Sequence, residues 1–64
     1  MKVYVVLFYV SFEGCYSDEN CKVFKDIEKV KEYVDELNMR LAARDGREVK
    51  DLLDYYDYEE MDLI

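Results

Sequence analysis

The most apolar stretch of the chain lies near its start, at residues 3–12, where β-branched and aromatic residues follow one another and the first polar residue is Ser11. Side chains of a β-strand alternate between its two faces, so a strand with one face in water is usually polar at every second position. This run is apolar at both parities. We therefore expect a central strand at residues 2–10 that needs cover on both faces.

The pattern changes after this strand. Glycine, serine and asparagine at residues 11–20 predict a turn or a long hairpin loop, and residues 21–25 predict a short second strand. A helix is predicted next, because apolar residues then recur at intervals of three and four. These residues are Ile27, Val30, Val34, Leu37 and Leu41, with Tyr33 beside them. Asp26 is suited to cap the start of this helix, and Gly46 is suited to end it.

The last third of the chain completes the predicted fold. Residues 47–53 predict a short helix or a turn, and the tyrosine-rich residues 55–63 predict a third strand. The order is then β-β-α-β in one small domain, residues 1–64. We expect an α+β fold with a three-stranded antiparallel-type sheet in the order 2-1-3, because the helix would return the chain to the far side of strand one by a right-handed crossover. One long helix covers only one face of such a sheet.

The face that the helix leaves open is the first candidate site. We assign to it the even-numbered side of strand one, Tyr4, Val6, Phe8 and Val10. Burying these side chains is worth roughly 6–12 kcal/mol, and monomers rarely leave such a patch in water. Three coverings remain open at this point: residues 47–53 of the same chain, a second copy in a homodimer, or a foreign protein.

Charge narrows the class of partner. The chain has 9 basic and 16 acidic residues, for a net charge of −7. Direct contact with nucleic acid or an anionic membrane is therefore not expected, and a basic protein partner is favoured. Six acids form a candidate partner-binding surface, in a stretch that contains no base: Asp51, Asp54, Asp57, Glu59, Glu60 and Asp62. They either imitate a row of phosphates or form a solvated edge that discourages strand aggregation.

Alternation divides this acidic segment between two sides. On a strand, Asp57 and Glu59 share one side, whereas Glu60 and Asp62 share the other. Three tyrosines lie between the acids and are candidate interface anchors, namely Tyr55, Tyr56 and Tyr58. Tyrosine is frequent at binding hot spots, but the same residues fit equally well as the core and rim of an edge strand.

Catalysis and cofactor binding are not expected. The chain has no histidine to act as a general base, and its two glycines are too few for a phosphate-binding motif. Cys15 and Cys21 lack the further ligands that zinc requires. The loop acids Glu13, Asp18 and Glu19, with Asn20 beside them, lack the spacing of a calcium loop.

The same residues suggest a compartment. No apolar stretch is long enough for a transmembrane helix. The apolar start resembles a secretory signal only superficially, because Phe12 and Glu13 precede the Gly14-Cys15 pair where small or branched apolar residues belong. We therefore expect a cytoplasmic protein in which the two cysteines are reduced and unreactive, and a disulfide between Cys15 and Cys21 remains the alternative.

Three pieces of the chain resemble a group of short, uncharacterised proteins from phages and bacteria. The matching pieces are Lys2-Val3-Tyr4-Val5-Val6, then Val23-Phe24 followed by Glu28 and the amphipathic helix, and finally Tyr56-Asp57-Tyr58-Glu59-Glu60 with Leu63. The resemblance implies a β-β-α-β fold and a phage origin, and it assigns no site residue and no activity. The loop that contains the two cysteines is not part of the shared pattern.

These observations favour a non-catalytic, acidic protein-interaction module that self-associates as a homodimer, in the host cytoplasm if a phage encodes it. A sharper hypothesis is an inhibitor of the anti-CRISPR or anti-restriction type, whose acids occupy the basic nucleic-acid groove of a host nuclease or defence complex. The alternative is a structural homodimeric domain whose acidity only keeps it soluble.

Overall fold

The computed structural model describes residues 1–11, 14–16 and 20–63, and for Cys15 it describes the backbone alone. The elements follow in chain order as three strands, a long helix, one 3-10 turn and a last strand. Their bounds are β1 at Lys2–Val10, β2 at Gly14–Tyr16, β3 at Val23–Phe24, α1 at Ile27–Asp45, the 3-10 turn at Val49–Asp51 and β4 at Tyr55–Asp62.

The central strand of the sheet is β1, and every other described strand pairs with it in antiparallel orientation. Strand β4 runs along it from the pair Lys2↔Asp62 to the pair Tyr9↔Tyr55. Strand β2 pairs near the end of β1, and β3 pairs near its middle. A strand has only two hydrogen-bonding edges, so β2 and β3 must share the edge that β4 leaves. The second strand predicted at residues 21–25 is β3, whereas β2 lies within the loop predicted at residues 11–20, so two short strands occupy the edge expected for one. With β4 as the third predicted strand, the predicted order 2-1-3 and the β-β-α-β arrangement are confirmed.

Local signals at both ends of α1 are confirmed. The Asp26 carboxylate accepts a hydrogen bond from the Glu28 backbone N–H at 2.9 Å, which satisfies one of the exposed donors of the first turn. At the other end Gly46 adopts the left-handed conformation (φ 67°), and the next residue, Arg47, donates its backbone N–H to the Ala42 carbonyl at 2.9 Å. These caps explain why the helix begins and ends where the sequence predicts.

The core lies between α1 and the even-numbered side of the sheet. Its buried members are Val6, Val30, Val34, Leu37 and Tyr56. Partly buried residues pack around them, namely Tyr4, Phe8, Phe24, Tyr33, Leu41 and Tyr58. Successive side chains of a strand point to opposite faces, so the odd-numbered side of β1 faces away from the helix.

The prediction that Tyr4, Val6, Phe8 and Val10 form the uncovered face was therefore wrong. Val6 is fully buried, while Tyr4 and Phe8 pack against the helix core; Val10 shares their parity and pairs with Gly14. Both sides of β1 are apolar, so this strand alone does not reveal which side the helix takes. The missing signal was in β4, where Tyr56 and Tyr58 stand opposite even positions of β1 and the central acids stand opposite odd ones.

The 3-10 turn does not cover the remaining face. Among the described elements it contacts α1 and no strand. Leu53, just beyond it, lines a depression together with Phe8 and Leu41, which places this segment on the helix side of the sheet. Residues 47–53 are thus excluded as the cover for the open side.

Candidate interaction surface

The odd-numbered side of the sheet is the surface that the helix leaves uncovered, and we call it the open face. Its members are Val3, Val5, Leu7 and Tyr9 of β1, Val23 of β3, and Tyr55, Asp57, Glu59 and Met61 of β4. The strand register places them side by side, with Leu7 opposite Asp57 and Val5 between Glu59 and Val23. Neither α1 nor the 3-10 turn, the two described elements outside the sheet, lies over it.

Exposure on the open face is lower on β1 than on the flanking strands. Val3 is only 4% exposed although it is not part of the helix core, so its neighbours on the face must screen it. Val5 and Leu7 are half-buried. On the flanking strands Val23 is 63% exposed and Met61 is 51% exposed. Large apolar side chains therefore remain in contact with water on both flanks of β1.

The open face approaches the size of the apolar patches that are often functional. A rectangle of three strands about 4.8 Å apart and nine residues at about 3.3 Å each is roughly 400 Å². This is an upper bound, because β2 and β3 fill only part of one edge and because Asp57 and Glu59 are charged. The largest apolar patch on a typical monomer is about 300–600 Å² and is often functional. On the helix-covered side the centre is fully buried, since Val6 and Val30 are 0% exposed, while Tyr4 and Phe8 around it are partly buried.

Polar groups on the open face are concentrated on β4. The Tyr9 hydroxyl donates to Glu59 Oε1 at 2.9 Å, and the Tyr9 ring stacks on Tyr55 with 5.6 Å between centroids. Asp57 Oδ1 accepts the backbone N–H of Tyr58 at 2.8 Å. The face thus has an apolar middle strand and a charged flank, as protein interfaces commonly do.

The six candidate acids are not brought together into one row. Asp57 and Glu59 lie on the open face, and Glu60 and Asp62 have the opposite parity, as alternation predicted. Glu60 pairs with Lys2 at 3.4 Å, and the half-buried Asp54 accepts the Ser11 backbone N–H at 3.2 Å.

Asp51 lies apart from these acids, exposed in the 3-10 turn. The six acids therefore do not form one row, because the strand pleat and the turn direct their side chains differently.

The three tyrosines of β4 have different environments. Tyr55 is exposed on the open face. Tyr56 is buried in the helix core, where its ring packs on Phe8 at a centroid distance of 4.7 Å, so its assignment as an interface anchor was wrong. Tyr58 is half-buried on the same side and meets Tyr4 edge to face at 6.0 Å. Only Tyr55 has the position of an anchor.

A buried asparagine closes part of the sheet edge, and sequence reasoning missed it. Met1 and Leu63 exchange two backbone hydrogen bonds, so the even-numbered residues of β4 direct their backbone groups outward. Asn38 of α1 meets these groups at Tyr56, accepting its N–H at 2.7 Å and donating to its carbonyl at 2.9 Å. We call this the Asn38 clamp. Its sequence signal is a polar residue next to Leu37 on the buried side of the helix.

The other candidate chemistry falls largely outside the described residues. Glu13, Asp18 and Glu19 of the candidate calcium loop lie there, as does the side chain of Cys15. The Cys21 thiol contacts the Tyr16 carbonyl at 3.7 Å. The described part of the chain contains no group of three or more metal-binding side chains. No helix in that part is both long and apolar enough to cross a membrane.

Comparison of the chain with protein-family profiles, curated proteins and solved structures finds no significant match in any of the three. The resemblance to short phage and bacterial proteins thus stays a prediction, and the open face is the feature of the structure that bears on function.

Proposed function

We propose that this chain is a non-catalytic interaction module whose binding surface is the open face, and that it self-associates through that face as a homodimer. One observation carries the proposal: the central strand is apolar on both sides, and no described element covers the odd-numbered one. A second copy would supply the missing layer, since two-fold self-association is the commonest form of oligomer.

The area of the open face indicates how strong such a dimer can be. Covering two faces of at most about 400 Å² removes about 800 Å² from water, which is less than the roughly 1,200–2,000 Å² buried in stable complexes. Association also loses about 4–15 kcal/mol in translational and rotational freedom. We therefore expect a weak dimer that forms at high protein concentration.

The alternative way to join two sheets is pairing along their edges, and the Asn38 clamp opposes it. The clamp occupies the outward backbone groups of Tyr56, and Asp57 occupies the outward N–H of Tyr58. Farther along β4, Glu60 and Asp62 add charge, which discourages strand addition. Packing of face on face is therefore the favoured route.

Absolute molar mass in solution tests this proposal. We expect a dimer for the unchanged chain and a folded monomer for Leu7→Lys, which places a cation in the middle of the open face. Met39→Lys is the matched control, because Met39 is 62% exposed on α1, away from the sheet, and this variant should remain dimeric. A monomer at every concentration of the unchanged chain, or a dimer that tolerates Leu7→Lys, would overturn self-association through this face.

A second candidate function is capture of a basic protein, as an inhibitor of a host nuclease or defence complex would require. The observation that favours it is the charge of the open face, which has Asp57 and Glu59 and no base among its members. An apolar strip flanked by carboxylates suits a partner that is both apolar and cationic. In this proposal the protein is phage-encoded and works in the host cytoplasm, in keeping with the predicted reduced cysteines.

Salt separates the two candidates. A complex with a basic protein should weaken steeply as ionic strength rises, because opposite charges attract across it. The homodimer should strengthen, since its two copies each bear a net charge of −7. Binding of a purified basic nuclease that is unaffected by salt would count against the inhibitor candidate.

A further inference from the structure

The open face is asymmetric across its width, and this asymmetry bears on how two copies meet. Strand β4 contributes both of its acids, Asp57 and Glu59. On the opposite flank β3 contributes Val23, and the neighbouring Lys22 lies on the helix side of the sheet, with its Nζ 5.5 Å from the centroid of the Tyr33 ring. On the open face the β4 flank is therefore anionic, while the described part of the β3 flank is apolar.

Two sheets that pack face to face in the aligned manner have two possible two-fold axes. An axis across the strands lays β4 of one copy over β4 of the other. An axis along the strands reverses left and right, so that β4 of each copy lies over the β2–β3 flank of the other and β1 crosses β1. Aligned packing, within about 30°, accommodates either arrangement.

Charge distinguishes the two arrangements. Asp57 and Glu59 lie near the middle of β4, so stacking β4 on β4 gathers four carboxylates in one desolvated region. Like charges in such a region oppose association. Stacking β4 on the β2–β3 flank separates the two carboxylate pairs by the width of the sheet, so that neither pair faces the other.

Resting on the proposed homodimer, we infer that the two copies stack with the two-fold axis along β1, so that each β4 covers the partner copy's β2–β3 flank. The centre of the interface is then β1 against β1, where Val5 and Leu7 meet their counterparts.

Mixing two charge variants of the full chain tests this arrangement. In the double variant Asp57→Lys, Glu59→Lys, each β4 has lysines in place of acids. If β4 faces the β2–β3 flank, each charge change acts on a separate contact, so a mixed dimer has the mean free energy of the two parent dimers. Mixed dimers should then form in the statistical proportion when the variant and the unchanged chain are combined.

Native mass spectrometry of the mixture gives the readout. Strong enrichment of mixed dimers would overturn the inferred axis while leaving the dimer intact, because acids would then face lysines across a β4–β4 contact. A chain that is monomeric throughout would instead overturn the proposed function, and this inference with it.

A second measurement needs no variant. In isotope-filtered NMR of the unchanged dimer, we expect contacts between copies from the Val23 methyl groups to the Glu59 methylene groups or the Met61 methyl group. Val23 and Glu59 are both in register with Val5, and an axis along the strands keeps that register. Contacts from β4 to β4, such as Met61 to Tyr55 of the other copy, would contradict the inferred axis even if the double variant failed to fold.

Discussion

The two sides of β1 are similar in composition but differ in what covers them. The even-numbered side, with Val6 at its centre, packs against α1, while the odd-numbered side, with Leu7 at its centre, has no described cover. What differs is the neighbour on β4, where Tyr58 stands opposite Val6 and Asp57 stands opposite Leu7. A central strand that is apolar on both sides needs a covering layer on each side. The residues of β4 determine which of the two sides the helix of this chain covers.

The largest expected contrast is between adjacent residues of β1. Val6→Asp would bury a carboxylate without a partner. The free-energy cost of burying this charge exceeds the roughly 3–5 kcal/mol of net stability that a single core gives a domain of this size. We expect it to be unfolded by circular dichroism. Leu7→Asp should retain the native spectrum, with a loss below about 1.5 kcal/mol in urea unfolding of the monomer. A folded Val6→Asp would contradict the assignment of the two faces.

Tyr55 and Tyr56 of β4 show the same difference between the open and the helix-covered side, with smaller expected effects. Tyr56→Ala removes a buried ring from the helix core and should lower the free energy of unfolding by about 3–5 kcal/mol. Tyr55→Ala removes an exposed ring and should cost the monomer below about 1 kcal/mol, but it should weaken the dimer. Urea titration and sedimentation of the same samples separate these effects. Equal losses of stability would contradict the distinction.

The Asn38 clamp links the helix-covered side to the sheet edge. Asn38→Ala leaves the backbone N–H and carbonyl of Tyr56 without these partners, so we expect a loss of about 2–4 kcal/mol. Hydrogen exchange at the Tyr56 amide should accelerate in parallel. The exposed neighbour gives the control, because Met39→Ala should change stability by no more than about 0.5 kcal/mol. An Asn38→Ala variant as stable as that control would argue against the clamp.

Elements with local signals were predictable from the sequence. The bounds of β1, the capping of α1 by Asp26 and Gly46, and the opposite parity of Asp57 and Glu60 all follow from residues close in the chain. Each depends on a turn, a cap or the two-residue period of a strand, which are properties of short segments.

The features that the sequence did not predict depend on distant pairs. The covered side of β1 follows from its register with β4, about fifty residues later in the chain as in the pair Val6↔Tyr58. The role of Asn38 follows from its contact with Tyr56 on another element. The interruption between β2 and β3 likewise appears only once both are paired with β1. Periodicity within one segment contains no information on such pairs.

The smallest expected difference is between the dimer and the fold of the monomer in their response to salt. Raising ionic strength should strengthen the homodimer several-fold, because it screens repulsion between two copies that each have a net charge of −7. The fold of the monomer should respond little, since its buried residues carry no charge: they are apolar apart from the Tyr56 hydroxyl and the Asn38 amide. Sedimentation equilibrium and urea unfolding at low and moderate salt check both expectations. A dimer that weakens with salt would indicate attraction between charges across the interface.

The most direct measurement is solvent accessibility of methyl groups by NMR, using a soluble paramagnetic probe across a dilution series. Methyl groups of Val6 and Val30 should be protected at every concentration, whereas those of Leu7 and Val23 should be protected only when the protein is concentrated. Protection of Leu7 and Val23 that persists at high dilution would mean that the chain covers its own second side. Exposure of both residues at every concentration would mean that no second copy covers it.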